Sequence, residues 1–231
     1  MSTARRTSVI FDLDGTLVDS EPNYYEAGRR VLAGYGISDF SWEHHTRFIG
    51  IGTRETLESL REEYGIDAPL EDLLAGKNRH YLTLARAKTE VYPEMRKFVE
   101  RLDAAGVPMA VASGSSRAAM EAVLEGTGLG VYLTTLVSAE EVAHGKPRPD
   151  VFLEAAHRLG AEPADCVVVE DAPPGAAAAH AAGMRCIAVP YVPETAAGDA
   201  FRTAGLLFPG GQPEFTAQAA YDWLTRPVPP V

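Results

Sequence analysis

Cysteine is scarce: 231 residues contain two, Cys166 and Cys186. Each stands beside an apolar run, "CVVV" and "CIAV", with no CxxC spacing, so metal or redox work is not indicated and two reduced core thiols are expected. Long hydrophobic runs are also missing. No segment approaches the roughly 18 apolar residues of a membrane span, and the opening "MSTARRTSVIF" has two arginines without the apolar stretch of a signal peptide behind them. A soluble, cytoplasmic protein is expected. Positive charge is short: 21 Lys and Arg against 32 Asp and Glu leave a formal net charge of −11. Nucleic acid and anionic membrane are disfavoured as partners because both are repelled at long range, while a small anion can still bind locally. Of the six histidines, only His44 and His45 are adjacent. Neighbours in sequence do not share a helix face, so solvated polar residues are expected there in preference to a metal site.

What is present is apolar content, 46% over a length that supports one large domain or two small ones. A first strand is expected at Ser8–Leu13. From about Glu21 to Lys88 the apolar residues recur at helical spacing, with no convincing strand. Near Tyr92 the pattern changes. "EMRKFVERLDAAG" reads as an amphipathic helix ending at Gly106 and "VPMAVAS" as a short strand. Helices and strands then alternate: "SSRAAMEAVLEGTG", "TTLVS", "RPDVFLEAAHRLG", "CVVVE", "GAAAAHAAGM" and "RCIAV". Strands alternating with helices of this length imply right-handed βαβ units and a parallel sheet covered on both faces, with the long helical segment as an inserted domain. "GLLF" is a candidate edge strand, "FTAQAAYDWLTR" a final helix, and "PVPPV" a frayed tail.

In open parallel sheets, ligands bind beyond the carboxyl ends of the strands. The first strand runs into Asp12 and Asp14 of "FDLDGTLVDSEP", the next into Ser113-Gly114-Ser115, a later one leads to "HGKPRPD", and "CVVVE" ends in Glu170-Asp171. Asp12 and Asp14, two residues apart in extended chain, direct their side chains to one side, and Gly15 relaxes the backbone for a sharp exit. Two carboxylates some 4 Å apart repel by about 4 kcal/mol at an effective dielectric of 20. Lys146 supplies one positive charge against four negative. A divalent cation would remove most of the rest, and oxygen ligands without His or Cys favour Mg²⁺. Each piece alone has a plain alternative: acids at a helix N-terminus, a serine cap, a loop entering a helix at Pro149. Their joint appearance at successive strand ends is harder to explain without a site.

These residues resemble the haloacid dehalogenase-like superfamily of phosphotransferases, whose four motifs are similar to "FDLDGTLVDS", "VASGSS", "KPRPDVF" and "VVVEDAPPGAAAAHAAGM". The resemblance spans nearly the whole chain. It implies an α/β fold, a Rossmann-like parallel-sheet core over residues 1–18 and 91–231, with an all-helical cap domain inserted at 19–90. It makes Asp12 the nucleophile that forms an aspartyl-phosphate and Asp14 the general acid and base. Mg²⁺ would be held by the Asp12 carboxylate, the Asp14 backbone carbonyl and Asp171, with Glu170 a direct ligand or acting through water. Ser113, the Gly114 amide and Lys146 would hold the phosphoryl oxygens. Dehalogenases of the superfamily generally lack the second acid of the first motif and need no metal, so Asp14 with Glu170-Asp171 points to phosphoryl transfer.

"DSEP" and the helical insertion are similar to the branch containing β-phosphoglucomutase, phosphoglycolate phosphatase and hexose-phosphate phosphatases. In "FIGIGTRETLESL", Thr53 reads as an N-cap, leaving the Arg54 guanidinium free for an anion. Lys77 matches a cap lysine that contacts substrate in this branch, with a solvated surface lysine as the alternative. Glu21, Asn23 and Tyr24 are expected to line the hinge side of the cleft. Mutases of the branch carry a histidine a few residues after the first motif, where this chain has Glu21-Pro22-Asn23-Tyr24. A Mg²⁺-dependent phosphatase of a small phosphorylated metabolite, most simply a sugar phosphate, is therefore expected, as a monomer or weak dimer. A β-phosphoglucomutase and a catalytically idle binding protein are the alternatives.

Overall fold

The computed structural model describes residues 7–49 and 51–226. The arginines of the N-terminal "MSTARR" and the "PVPPV" tail lie outside the described residues. In chain order the regular elements are β1 (Ser8–Phe11), β2 (Val18–Asp19), α1 (Glu21–Gly34), α2 (Trp42–Thr46), α3 (Thr53–Glu63), α4 (Leu70–Lys88), β3 (Glu90–Val91), α5 (Pro93–Ala104), β4 (Met109–Ser113) and α6 (Arg117–Thr127). There follow β5 (Thr135–Ser138), α7 (Asp150–Leu159), β6 (Cys166–Glu170), α8 (Pro173–Ala181), β7 (Arg185–Ala188), β8 (Leu206–Leu207) and α9 (Ala217–Thr225). The chain forms two compact units: the residues through Asp19 with those from Glu90 onward, and Ser20–Thr89 between them.

The larger unit is built on a parallel sheet of order β5-β4-β1-β6-β7-β8. "SVIF" and "CVVVE" carry no polar alternation because both faces of their strands are covered, and every residue of the two is buried. Consecutive residues of β1 face opposite layers. The Phe11 ring meets Phe98 of α5 edge-on at 5.9 Å, and Phe98 meets Phe215, just ahead of α9, at the same distance. Ile10 belongs instead to the cluster holding Phe152 of α7 and the small residues Ala176, Ala178 and Ala179 of α8. β8 is the edge strand expected at "GLLF", and both cysteines are buried free thiols.

Two local differences from the sequence reading place the site. β1 stops at Phe11, because the Leu17 and Val18 amides both turn back onto the Leu13 carbonyl. Leu13 thus closes a turn. β2 and β3 pair antiparallel, Val18 with Val91 and Asp19 with Glu90, at the points where the chain leaves and rejoins the larger unit. Two-residue strands carry too little periodicity to be read.

The smaller unit packs α1 and α3 on α4. Its interior has two apolar clusters, around Val31, Leu57 and Leu73 and around Leu32, Phe40 and Leu60. The N-cap of α3 is Gly52, not Thr53, which is already the first helical residue and makes no capping bond. Among the described residues no helix is long and apolar enough to cross a membrane.

Candidate active site

The acids of the larger unit converge where the sheet ends. Asp12 follows β1 directly, its amide still bonded to the Val169 carbonyl of the neighbouring strand, and its side chain is buried. Lys146 arrives from the loop before α7 and donates to Asp12 Oδ1 and, at 2.7 Å, to Glu170 Oε1. The second Glu170 oxygen accepts the Ala172 amide at 2.7 Å. Glu170 therefore has both oxygens engaged, one on Lys146 and one on its own turn.

Asp171 is buried and its Oδ1 accepts the hydroxyl of Thr16 at 2.8 Å. Its other oxygen lies against Gly15, where a Cβ would approach Oδ2 to 2.4 Å, and Gly15 adopts φ +82°. Glycine is thus required twice over, by the backbone conformation and by the close approach. The turn is also held from the far end of the chain: Gln212 Nε2 donates to the carbonyls of Gly15 (3.2 Å) and Thr16 (2.9 Å). Asp14 Oδ2 accepts the Ser115 hydroxyl at 2.6 Å and the Ser113 hydroxyl at 3.3 Å. Gly114 stands between these serines and is exposed.

The electrostatics are unbalanced. Burial pushes the Asp12 carboxyl well above the ordinary aspartate range; Lys146 opposes this, and Glu170 and Asp14 add to it. Burial also raises Asp171, reinforced by Glu170 and Asp12. Burial would lower Lys146, but Asp12 and Glu170 outweigh it and hold the ammonium firmly charged. One cation thus serves several buried carboxylates, an arrangement suited to a further positive charge. Among the described residues no three His, Cys, Asp or Glu side chains form a ready ligand cluster. The donors that do meet here, the Asp12 and Asp171 carboxylates and the Asp14 carbonyl, are all oxygen, a set that would suit a hard ion completing its shell with water, as Mg²⁺ does.

Apart from Gly114, the residues expected to recognise substrate lie in the smaller unit, where Arg54 differs from expectation and burial of Lys77 sets aside the surface-lysine alternative. Lys77 is buried, not a surface lysine, with its ammonium 5.5 Å from the centre of the Tyr24 ring. Burial lowers its pKa to about 8, with Glu21 opposing. Tyr24 stacks on Tyr81 at 4.4 Å. The Arg54 guanidinium is not free: it is paired with Glu71 at 2.9 Å on an exposed surface. Asn23 is buried and donates to Thr89 Oγ1 at 2.8 Å, tying the start of α1 to the end of α4.

Of the histidine pair, one member is buried and the other half-buried. His45 is buried and its Nε2 meets Glu21 Oε2 at 2.9 Å, while His44 contacts Glu63 and the Tyr64 hydroxyl, each at 3.2 Å. Thr16, Ser115, Gly175, Gln212 and His45 were not assigned to a site by sequence reasoning. Ser115 carries a signal in its place at a strand end, and Thr16 and Gly175 lie within stretches that carry the family resemblance; Gln212 carries none.

A family model described as haloacid dehalogenase-like hydrolase matches residues 7–183. The chain is 38% identical over 194 residues to the fructose-1-phosphate phosphatase YqaB of Escherichia coli, covering 80% of this chain and 97% of that one. It is 35% identical to the bifunctional riboflavin kinase/FMN phosphatase of Arabidopsis thaliana over 80% of this chain, but spans only 49% of that longer relative. Among solved structures, a putative β-phosphoglucomutase from Thermotoga maritima superposes with a TM-score of 0.78 at 29% identity, covering 94% of this chain and 99% of that one.

Proposed function

The chain belongs to the haloacid dehalogenase-like hydrolases, and from that premise we propose that it is a Mg²⁺-dependent phosphatase of small sugar phosphates working through an aspartyl-phosphate. One observation carries the reading: Asp12 leaves the end of a central strand buried, bonded to Lys146 and electrostatically coupled to Glu170 and Asp171. A structural ion pair would need one acid per lysine. This cluster has a surplus.

In the proposed reaction the Asp12 carboxylate attacks phosphorus as the bond to the sugar oxygen breaks, and Asp14 gives that oxygen its proton. Asp14 then takes a proton from water, whose oxygen attacks the aspartyl-phosphate and frees phosphate and Asp12. Lys146, the Ser113 hydroxyl and the Gly114 amide hold the phosphoryl oxygens, where charge sits in the transition state. Glu170 orients Lys146 through Oε1 and would act on the metal either directly or through water, since each of its oxygens makes a single hydrogen bond and keeps a further acceptor site. The Asp12 and Asp171 carboxylates and the Asp14 carbonyl would hold Mg²⁺, which when bound would supply positive charge to keep Asp12 ionised and to polarise the phosphoryl group.

The sugar-phosphate assignment is supported by the name of the Escherichia coli relative, and by a smaller unit in which Lys77 places an ammonium beside the Tyr24 ring; Glu21 opposes the lowering of its pKa but is itself held by His45. Arg54 carries less weight because Glu71 holds it, and Asn23 acts within the helical unit. Mutase activity is disfavoured by Tyr24 standing in the stretch where mutases carry histidine.

The test is a panel of phosphorylated sugars, glycolate phosphate and nucleotides, assayed with Mg²⁺ and with EDTA. Release of phosphate that EDTA abolishes and Asp12→Asn eliminates is expected. Hydrolysis surviving EDTA, or turnover unaltered in Asp12→Asn, would sink the reading, and stoichiometric isomerisation of β-glucose 1-phosphate without phosphate release would favour a mutase.

A further inference from the structure

After β4 the chain turns toward α6, and the helix is capped by Ser116, whose hydroxyl accepts the Ala119 amide at 3.2 Å. Ser115 has no part in that cap. Its hydroxyl donates instead to Asp14 Oδ2 at 2.6 Å, a far shorter bond than the 3.3 Å reach of Ser113 to the same oxygen. Hydrogen bonds to carboxylates are short and roughly twice as strong as neutral ones, so of the two serines Ser115 is the main restraint on this side chain.

Ser115 is itself braced. Its amide donates to Ser113 Oγ at 3.0 Å, and its carbonyl accepts the hydroxyl of Ser138, fully buried at the end of β5, at 2.7 Å. The bracing therefore runs from β5 through the β4 loop to the turn after β1, three adjacent strands of one sheet. The bracing matters because Asp14 precedes Gly15 in a turn and an aspartate side chain has several staggered positions to choose among.

We infer that Ser115, braced by Ser138, is a positioning residue that holds the Asp14 carboxylate where it can exchange a proton with the leaving oxygen. This rests on the acid and base role proposed for Asp14. The Ser115 hydroxyl keeps its own proton throughout; the proton transferred is that of Asp14. The consequence falls on poor leaving groups. A sugar alkoxide must be protonated as its bond to phosphorus breaks, whereas p-nitrophenolate departs without help.

The experiment compares kcat/KM for the best sugar phosphate of the panel with that for p-nitrophenyl phosphate, in the wild type, Ser115→Ala, Ser115→Thr and Asp14→Asn. In Ser115→Ala the sugar-to-nitrophenyl ratio is expected to fall about tenfold, a fraction of the hundredfold or more that general acid catalysis contributes. Ser115→Thr, which keeps the hydroxyl, is expected to restore it. A residue that merely maintained the loop would depress both substrates together and leave the ratio unmoved. An unchanged ratio in Ser115→Ala, or a threonine variant as impaired as the alanine, overturns the inference. If Asp14→Asn lowers the ratio and Ser115→Ala does not, the inference alone fails. If Asp14→Asn also leaves it unchanged, the acid role of Asp14 falls and the inference with it. Ser115 is only half-buried in a loop, and a thermal melt of each variant shows that the fold is retained.

Discussion

Gly175, in the first turn of α8, faces the Glu170 carboxylate so closely that a Cβ at position 175 would stand 1.6 Å from Oε1. That oxygen is the one bonded to Lys146. The alanine-rich start of α8 is thus more than a small-residue packing surface, because the glycine creates the space in which Glu170 meets the lysine.

Gly175→Ala would force the buried Glu170 from its place, breaking its bonds to Lys146 and to the Ala172 amide. Loss of hydrogen bonds to a buried charge predicts destabilisation of about 3 kcal/mol, read as a fall in the urea midpoint. Catalysis should fall further than stability explains, since Lys146 loses its orienting partner. A variant as active and as stable as the wild type would show that Glu170 has another place to go.

The buried acids give a pH dependence of defined sign. Asp12 and Asp171 have folded pKa values raised by burial, so the folded protein binds more protons than the unfolded chain. The stability they contribute is fully present below the unfolded value, about pH 4, and is lost as pH rises through the folded values. Metal-free protein is therefore expected to lose stability from about pH 4 upward. Millimolar Mg²⁺ should offset that loss near neutrality, by binding the ionised folded state. Urea midpoints across pH, with Mg²⁺ and with EDTA, measure both slopes. Identical slopes would show that no cation sits among these acids.

The strand-end acids were legible because apolar runs with no alternation ended in charge, which a buried parallel sheet explains and a surface hairpin does not. Lys146 was legible as a countercharge. Its geometry was not: the engagement of Glu170 Oε2 by an amide two residues on is a local turn that leaves no periodicity. Gln212 could not be found at all, since it reaches Thr16 across 196 residues and an amide side chain in a Gly-Pro-rich loop has no pattern of its own. His45 is hidden from the sequence for a related reason. Adjacent histidines on a five-residue helix read as polar, yet Tyr25, Phe40 and Trp42 surround the ring at 5.3 to 6.2 Å.

Lys77 should be a residue whose removal stabilises the fold. Its ammonium is buried, with a pKa lowered to about 8, so the folded state disfavours its charge. The stability associated with it is present above the unfolded value of 10.5 and is lost as pH falls through about 8. Lys77→Met keeps the length and removes the buried charge. At neutral pH it is expected to raise stability by at most about 3 kcal/mol, because each tenfold loss of proton affinity on folding costs about 1.4 kcal/mol. KM for the sugar phosphate should rise at the same time. Destabilisation by this variant would mean that the ammonium is better solvated than its burial indicates.

His45 and Glu21 make the complementary case, in which removal should destabilise. The ring is enclosed by aromatic side chains and its Nε2 lies 2.9 Å from Glu21 Oε2, so an ionised Glu21 takes a hydrogen bond from it. His45→Leu fills similar space but leaves the carboxylate oxygen without its donor, which predicts a loss of about 1 to 3 kcal/mol. His45→Gln can place an amide N–H near the position of Nε2 and should recover much of that. Glu21→Gln in the His45→Leu background should cost less than it does alone, because the partner is already gone. Thermal and urea denaturation of the wild type, the two single variants His45→Leu and Glu21→Gln and the double variant, combined as a double-mutant cycle, give the coupling between the two side chains. A coupling indistinguishable from zero would mean that the hydrogen bond adds nothing to the helical unit and that its aromatic packing alone fixes the ring.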